Sequence, residues 1–252
     1  MAATSALPLT SRTALVTGAA RRVGAAIATA LHAAGASVVI HYRSSREAAD
    51  ALTTSLNRIR VDSAVAVSAD LLDVDQHAHV LAAATAAFGA LDILVNNAST
   101  FYPTPIGQIT HAAWDDLIGS NLKAPLFLSQ AAAPQLRARQ GLILNLVDIH
   151  GMRPLPGHAL YSTAKAALIM LTRALARELG PEIRVNGIAP GPVMWPESAL
   201  DAQVKQEIGR KTALRRIGTP EDVAQCAVYF ATAAPFVTGQ ILAVDGGRSL
   251  GW

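Results

Sequence analysis

Residues 13–24 read TALVTGAARRVG, a short apolar run that ends in a Gly-x5-Gly turn and leads into a helical pattern. Gly18 and Gly24 permit a tight turn and let the backbone approach a pyrophosphate, which the N-terminus of the following helix stabilises. Such a spacing is a weak signal alone. Its place between a strand and a helix makes the segment a candidate dinucleotide-binding turn rather than an ordinary β-to-α connection.

Apolar runs and alanine-rich helical patterns alternate along the rest of the chain. The runs that predict strands are 13–17, 37–42, 64–68, 91–96, 142–147, 184–188 and 240–244. The patterns that predict helices are roughly 22–34, 45–59, 73–88, 110–139, 159–179 and 220–233. Strands joined through helices of this length need crossover connections. We therefore predict an α/β protein: a single-domain Rossmann fold with a doubly wound, seven-stranded parallel sheet and helices on both faces. Pro125 and Pro134 are expected to bend or interrupt the longest helix.

The chain has 252 residues, of which 51% are hydrophobic and 15% charged. This predicts one domain over residues 12–252 after a flexible tail over 1–11. The single cysteine, Cys226, excludes an intramolecular disulfide framework, and we find no metal-ligand constellation. We expect a cytoplasmic protein, because no apolar stretch is long enough to span a membrane and the first residues do not resemble a signal peptide. The net charge of +3 is scattered along the chain, which predicts no nucleic-acid partner.

The end of the second predicted strand bears on the choice of cofactor. It reads HYRSS at 41–45, without the acidic residue that would hold the ribose hydroxyls of NAD. Arg43 and the hydroxyls of Ser44 and Ser45 offer a charge and donors for a 2′-phosphate instead, and Arg22 adds a second cation. These residues predict NADPH as the cofactor.

Six short motifs are distributed along the whole chain. They are TGAARRVG at 17–24, NNA at 96–98, YSTAK at 161–165, RVN at 184–186, PG at 190–191 and VDGG at 244–247. Together they resemble the short-chain dehydrogenase/reductase family, over about residues 12–248. The resemblance implies a Rossmann-type sheet, a nicotinamide cofactor and a homotetramer built partly around the C-terminal strand.

The resemblance also implies which residues hold the cofactor. The matching positions are Gly18, Arg22, Val23, Gly24, Tyr42, Arg43, Ser44, Ser45, Asp70, Leu71, Asn97, Ala98, Ser99, Tyr161, Lys165, Pro190 and Gly191. Asp70 is placed to bond an adenine amino group, although it is equally placed to cap the helix predicted from residue 73.

Within that family, four details resemble the pteridine reductases. Arg22 lies inside the glycine turn, the second strand ends in HYRSS, and the fourth is followed by NNASTFYPTP at 96–105. The usual family serine lies thirteen residues before the catalytic tyrosine, and that position here is Asp148. Pteridine reductases carry an aspartate there too. The resemblance therefore implies a bacterial-type reductase with a pterin or folate substrate.

Tyr161 and Lys165 form the candidate acid–base pair. They are four residues apart on a predicted helix and so share one face. A free tyrosine has a pKa near 10, and a nearby ammonium favours the phenolate, so we expect Lys165 to lower the pKa of Tyr161. The resemblance gives Lys165 a second task, holding the nicotinamide ribose, and makes Asn121 the support of Lys165. The alternative, that Tyr161 is only a core tyrosine, is disfavoured by the lysine four residues on.

Asp148 is the informative departure from the wider family. A serine donates a hydrogen bond to a carbonyl oxygen, whereas an ionised carboxylate only accepts, and its charge opposes a developing alkoxide. A pterin presents nitrogen donors, and reduction of its C=N bond needs a proton at nitrogen. Asp148 with Tyr161 is suited to relay that proton. The alternative is an aspartate that merely caps a loop.

The remaining candidates concern the substrate. Phe101 stands where pteridine reductases stack an aromatic ring on the pterin, and Ser99 matches a position that contacts both pterin and cofactor. Residues 191–200 resemble the family's substrate lid, with Met194 and Trp195 as its walls. We interpret His77 and His79 as solvent-facing and Cys226 as a buried small hydrophobe.

Two other functions stay open on the sequence. A ketone reductase of the same superfamily, acting on a 3-oxoacyl thioester or a sugar, requires Asp148 to be dispensable or protonated. A non-enzymatic NADPH-binding sensor would not need Tyr161, Lys165 and Asn121 together.

Overall fold

In the computed structural model, which describes residues 6–193 and 202–251, seven strands form one parallel sheet. They are β1 (Thr13–Val16), β2 (Ser37–Tyr42), β3 (Ala64–Ser68), β4 (Ile93–Asn96), β5 (Leu142–Leu146), β6 (Arg184–Pro190) and β7 (Ile241–Val244). Their order across the sheet is β3-β2-β1-β4-β5-β6-β7. The predicted α/β class and strand number are confirmed. The order reverses between β1 and β4, and ligands of open α/β sheets bind in the crevice at such a point.

Helices cover both faces of the sheet, as predicted. They are α1 (Arg22–Ala33), α2 (Arg46–Ile59), α3 (His77–Phe88), α4 (His111–Ile118), α5 (Ala124–Ala138), α6 (Ala159–Leu179), α7 (Ala202–Arg210) and α8 (Pro220–Thr232). Successive strand residues point to opposite faces. Val16 thus packs in the apolar layer with α1, α2 and α8, whereas Leu15 packs in the layer with α3, α5 and α6.

The helix predicted over 110–139 is two helices. A π-helical turn, Gly119–Lys123, separates α4 from α5 and precedes both prolines. Pro125 lies in the first turn of α5, where its missing N–H costs nothing, and Pro134 lies inside α5 without ending it. The turn brings Asn121 to a fully buried position, and such π turns are frequent at functional sites.

Two further elements differ from the sequence prediction. Helix α3 begins at His77 rather than residue 73, because Asp73 instead caps a short 3-10 turn by accepting from the backbone N–H of Asp75. Helix α7 was not predicted, because its polar sequence lacks the alanine-rich pattern of the other helices.

The interpretation of one histidine as solvent-facing was wrong. His77 is buried and its Nε2 lies 3.0 Å from Leu71 O, whereas His79 is exposed as expected. Cys226 is buried, as predicted, and burial raises the pKa of its thiol to about 12. None of the helices in residues 6–193 and 202–251 is long and apolar enough to cross a membrane.

The start of the described chain is packed against the corner between α1 and β2. Leu9 is buried and its N–H donates to Ala34 O across 2.9 Å. Gly35 has a φ of +110°, and a Cβ there would lie 2.8 Å from the Leu7 side chain. Leu9 is therefore anchored within the predicted tail over 1–11, while residues 7, 8, 10 and 11 are exposed.

Candidate active site

A cavity of about 390 Å³ opens at the carboxyl ends of the strands where the sheet order reverses. Its wall contains most of the residues predicted to hold the cofactor: Gly18, Arg22, Val23, Gly24, Tyr42, Arg43, Ser44, Ser45, Asp70, Leu71, Asn97, Ala98 and Ser99. The fold thus brings four separate stretches of sequence to one place, because parallel strands end at the same edge of the sheet.

The glycine turn forms the floor of this cavity. Gly18 has a φ of +60°, a conformation that favours glycine. Gly24 is required by close packing, because a Cβ there would lie 2.4 Å from Gly18 O and 2.5 Å from the Asn97 side chain. Arg22 also has a positive φ, +57°, so it is a non-glycine residue in a backbone conformation that costs energy. Such strain is typical of ligand-binding turns.

Asn97, predicted to contact the cofactor, also holds the glycine turn. Its Nδ2 donates to Thr17 O at 2.8 Å and to Gly18 O at 3.1 Å. The Thr17 hydroxyl accepts from the N–H groups of Asn97 and Ala98. The end of β4 is therefore tied directly to the end of β1, and the turn is held in shape by the protein.

The far end of the cavity carries cations and hydroxyls. Arg43 and Ser44 are exposed there, close in sequence to half-buried Ser45. Asp70 faces the same cavity, and its Oδ1 accepts from the N–H of Leu72. It does not cap helix α3, and the 3-10 turn that precedes this helix is capped by Asp73. This set of groups and the glycine floor fit a nicotinamide dinucleotide, with the positive end suited to a phosphate.

The candidate catalytic residues lie beyond the wall of this cavity, at the start of α6 and the end of β5. The Tyr161 hydroxyl donates to Asp148 Oδ2 across 2.7 Å. Asp148 Oδ1 accepts from the His150 N–H at 2.8 Å, so the carboxylate also caps a 3-10 turn, Ile149–Gly151. Both interpretations of Asp148, loop cap and partner of Tyr161, describe its contacts.

The electrostatics of Tyr161 differ from the expectation. Burial raises the pKa of Tyr161 well above its ordinary value, and the Asp148 carboxylate raises it further. The prediction that Lys165 lowers this pKa was wrong. Lys165 Nζ lies over the Tyr161 ring, 5.6 Å from its centroid, and donates to Leu146 O across 2.8 Å. The hydroxyl therefore faces a carboxylate, and Tyr161 is a neutral proton donor in this arrangement.

Lys165 is itself perturbed. Its side chain is buried, and burial lowers its pKa to about 8, against an opposing effect of Asp148. Charged and neutral forms of Lys165 are thus separated by little free energy near neutral pH. Perturbed groups of this kind cluster at functional sites.

Asn121 makes direct side-chain contacts around the loop after β4. Its Oδ1 accepts from the Ser99 hydroxyl across 2.6 Å, and its Nδ2 donates to Thr100 O and Leu117 O at 3.0 Å. Its described side-chain bonds therefore hold the loop after β4, and its support of Lys165, which in the resembling family often runs through a water, stays a prediction. Ser99, in the wall of the cavity, connects that cavity to the catalytic end.

Phe101 lies against the catalytic residues. Its ring contacts Tyr161 edge-on at a centroid distance of 4.8 Å and stacks on His158, also at 4.8 Å, with 11° between the planes. A β-bridge between Thr104 and His158, with Thr104 N–H donating to Gly157 O, ties the two loops together. Phe101 remains half exposed, so ring surface is available to a ligand.

The last predicted residues follow β6. Pro190 ends that strand, and the N–H of Gly191 donates to Val244 O at 3.0 Å. A Cβ on Gly191 would lie 2.6 Å from the Asp245 side chain, so the close approach of the two strand ends requires glycine. Met194 and Trp195 lie outside the described residues.

The sequence analysis did not predict every residue of this region. His41, Thr100 and Ser120 line the cavity, and His158 stacks on Phe101. His41 was visible inside the HYRSS motif. Thr100 was visible inside the NNASTFYPTP motif. Ser120 and His158 carry no local signal, because they reach the site through contacts between distant segments.

A strand–glycine turn–helix unit, a cavity at the reversal of strand order and a tyrosine–lysine pair beside it define a Rossmann-type oxidoreductase. Comparison with known proteins narrows this class. A family model described as enoyl-(acyl carrier protein) reductase matches residues 18–249. The chain belongs to the short-chain dehydrogenase/reductase family and is a nicotinamide-dependent short-chain oxidoreductase. This removes the support for a binding protein without enzymatic activity.

Individual relatives carry two different activities in their names. The chain is 37% identical to pteridine reductase 1 of Leishmania tarentolae, over 96% of this chain and 97% of that protein. It is 36% identical to a 3-oxoacyl-(acyl-carrier-protein) reductase of Staphylococcus aureus, over 94% of this chain and 98% of that one. An uncharacterised oxidoreductase of Mycobacterium tuberculosis is 38% identical, over 95% of this chain and 92% of that protein. The similarity alone does not distinguish the two activities.

Proposed function

We propose that this protein is an NADPH-dependent pteridine reductase that converts dihydropterins or dihydrofolate to the tetrahydro form. The observation that carries the proposal is the hydrogen bond from Tyr161 to Asp148. Tyr161 and Asp148 hold a proton between phenol and carboxylate, and such a pair is suited to protonate a ring nitrogen of the substrate. The aromatic face of Phe101 beside that pair suits a flat heterocycle.

The chemistry divides between cofactor and side chains. A nicotinamide cofactor, when bound, would supply the hydride for the carbon of the C=N bond. The Tyr161 hydroxyl gives its proton toward the nitrogen, either directly or through Asp148, so that C=N becomes CH–NH. Buried Lys165, when charged, stabilises the negative charge that the donor pair retains.

The choice of NADPH rests on the far end of the cavity. Arg22 and Arg43 border it together with the hydroxyls of Ser44 and Ser45. No carboxylate stands at the end of β2, where NAD-specific sites hold the ribose. These groups favour binding of the 2′-phosphate that distinguishes NADPH from NADH.

A 3-oxoacyl-thioester reductase is the second candidate, because the chain resembles a named enzyme of that activity nearly as closely. In ketone reduction the Tyr161 hydroxyl must turn from Asp148 to the carbonyl oxygen, and the carboxylate would then face a developing alkoxide. This charge repulsion disfavours the second candidate.

The deciding experiment is NADPH consumption by purified protein with dihydrobiopterin, dihydrofolate and a 3-oxoacyl thioester, each repeated with NADH. We expect turnover of the pterins and a strong preference for NADPH. Turnover of the thioester alone would establish the ketone reductase instead, and equal rates with NADH would refute the assignment of Arg43.

We also propose a homotetramer. Apolar side chains are exposed close to the C-terminal strand: Phe236, Leu242 and Leu250. These exposed apolar side chains are suited to a contact surface between subunits. Size-exclusion chromatography coupled to light scattering should then report a mass four times the 26.3 kDa of one chain. The mass of a monomer would exclude the assembly.

A further inference from the structure

His41 is a buried side chain in the wall of the cofactor cavity. It is the second-last residue of β2 and only 2% exposed. Its Nδ1 lies 3.1 Å from the N–H of Gly18, and its Nε2 lies 3.1 Å from Ala69 O. Its own carbonyl accepts from the N–H of Ala19 at 2.8 Å. One residue therefore joins the glycine turn to the end of β3.

The two partners determine the protonation state of His41. An amide N–H only donates, so Nδ1 facing Gly18 must be the bare nitrogen. A carbonyl oxygen only accepts, so Nε2 facing Ala69 must carry the hydrogen. The imidazole is therefore neutral. A protonated ring would point an Nδ1–H at the N–H of Gly18, and the bond to the turn would be lost.

The surroundings of His41 favour the same state. Burial lowers its pKa to about 4, while the bond to Ala69 and the charge of Asp70 oppose this shift and His77 adds to it. Asp70 follows β3 and His77 opens α3, so these are the titratable groups that face His41 from the neighbouring elements. His41 stays neutral throughout the physiological range of pH.

We propose that His41 is a positioning residue for the nicotinamide cofactor: its neutral imidazole sets the distance between the two walls of the cavity that receive the adenosine half. One wall is the glycine turn, anchored at Gly18. The other is the loop after β3, which begins at Ala69 and continues into Asp70 and Leu71, both in the cavity wall. The proposal rests on the cofactor site and not on the identity of the substrate.

The test measures the dissociation constant of NADPH by nucleotide fluorescence, without substrate, for the wild type and three variants. His41→Leu leaves both Gly18 N–H and Ala69 O without their partner, and we expect roughly a tenfold to hundredfold weaker binding. His41→Asn keeps an acceptor near Nδ1 and should recover most of the affinity. His32→Leu is the matched control. His32 is equally buried, but its Nε2 bonds Ser63 at 2.7 Å, outside the cavity wall.

A pH series separates positioning from simple support of the fold. Wild-type affinity should fall more steeply below about pH 5 than that of His41→Asn, because only the wild type has an imidazole to protonate at position 41. Unchanged affinity in folded His41→Leu, or an equal loss in His32→Leu, would overturn the proposal. Should His41→Leu not fold, the pH series decides, since identical profiles for wild type and His41→Asn also refute it. The pterin turnover assay does not enter these outcomes.

Discussion

The hydroxyl of Tyr161 donates to the carboxylate of Asp148 across 2.7 Å, although the two residues are thirteen positions apart and the 3-10 turn Ile149–Gly151 lies between them. This contact changes the role of the tyrosine. Its pKa is raised by burial and by the carboxylate, so the phenol keeps its proton in this arrangement. The contact also makes Asp148 the residue on which the choice between pterin and ketone depends.

Replacing Asp148 by serine, the residue usual in the wider family, tests that choice. A serine hydroxyl donates a hydrogen bond to a carbonyl oxygen and cannot accept a proton at neutral pH. We expect Asp148→Ser to lower kcat for dihydrobiopterin by about a hundredfold or more, the usual contribution of a positioned proton-transfer group. The thioester rate should stay equal or rise, and NADPH affinity should not change. Undiminished pterin turnover would exclude a role for Asp148 in proton transfer.

The pH dependence of reduction should report Lys165. Its pKa is lowered to about 8 by burial, so its positive charge is lost as the pH rises through that value. We expect kcat/KM to fall above about pH 8, because the neutral amine no longer stabilises the charge left on the donor pair. In Lys165→Arg the decline should move out of the measurable range, since a guanidinium stays charged.

Unfolding does not explain that decline. An unfolded lysine keeps its proton up to about pH 10.4. Between pH 8 and that value the unfolded chain binds more protons at this position than the folded one, so Lys165 adds stability as the pH rises. Thermal unfolding measured across the same range distinguishes loss of activity from loss of structure.

Phe101 should affect substrate binding and not cofactor binding. Phe101→Leu keeps apolar volume but removes the ring that stacks on His158 and contacts Tyr161. We expect KM for dihydrobiopterin to rise roughly threefold to tenfold, as for loss of one aromatic pair, with unchanged NADPH affinity. His158→Ala should raise KM less, since the phenyl ring remains. A larger effect in His158→Ala than in Phe101→Leu would contradict this order.

Arg43 should determine the choice between NADPH and NADH. Arg43→Ala removes the guanidinium beside Ser44 and Ser45, and a charged hydrogen bond to phosphate is worth about 1.5–3 kcal/mol. We expect KM for NADPH to rise about tenfold to hundredfold while KM for NADH changes little. Arg46, on the outer side at the start of α2, provides a comparison, since it does not line the cavity. Arg46→Ala should leave both values unchanged.

A buried polar network under the catalytic end should contribute to stability. Asn96 donates to Asn145 Oδ1 at 2.8 Å, and Asn145 donates to Thr172 at 2.9 Å, with all three side chains buried. Asn145→Ala leaves Asn96 and Thr172 each without one hydrogen bond, which should lower the free energy of unfolding by about 1–3 kcal/mol. We expect Tm to fall by roughly 2–8 °C. Combined with Thr172→Val, the losses should not add, because both variants break the same bond.

The class of fold follows from local pattern. The turn at 13–24 and the alternation of apolar runs with helical stretches depend on neighbouring residues, so they could be read along the chain, and the sheet confirmed them. Boundaries were less certain where a tertiary contact overrides propensity. The π turn at Gly119–Lys123 is an example, because it brings Asn121 into the interior where Ser99 bonds it.

The sequence by itself determined which residue types stand at the ends of the strands, and with the family resemblance that its motifs carry it named thirteen residues that line one cavity. Only the tertiary structure decided what those side chains do. Lys165 was expected to make Tyr161 acidic, yet Asp148 faces the hydroxyl and makes it a weaker acid. The pKa of a side chain depends on its burial and on the direction and distance of its charged neighbours. All three arise from packing between segments far apart in the chain. His41 acquires its two partners in the same way.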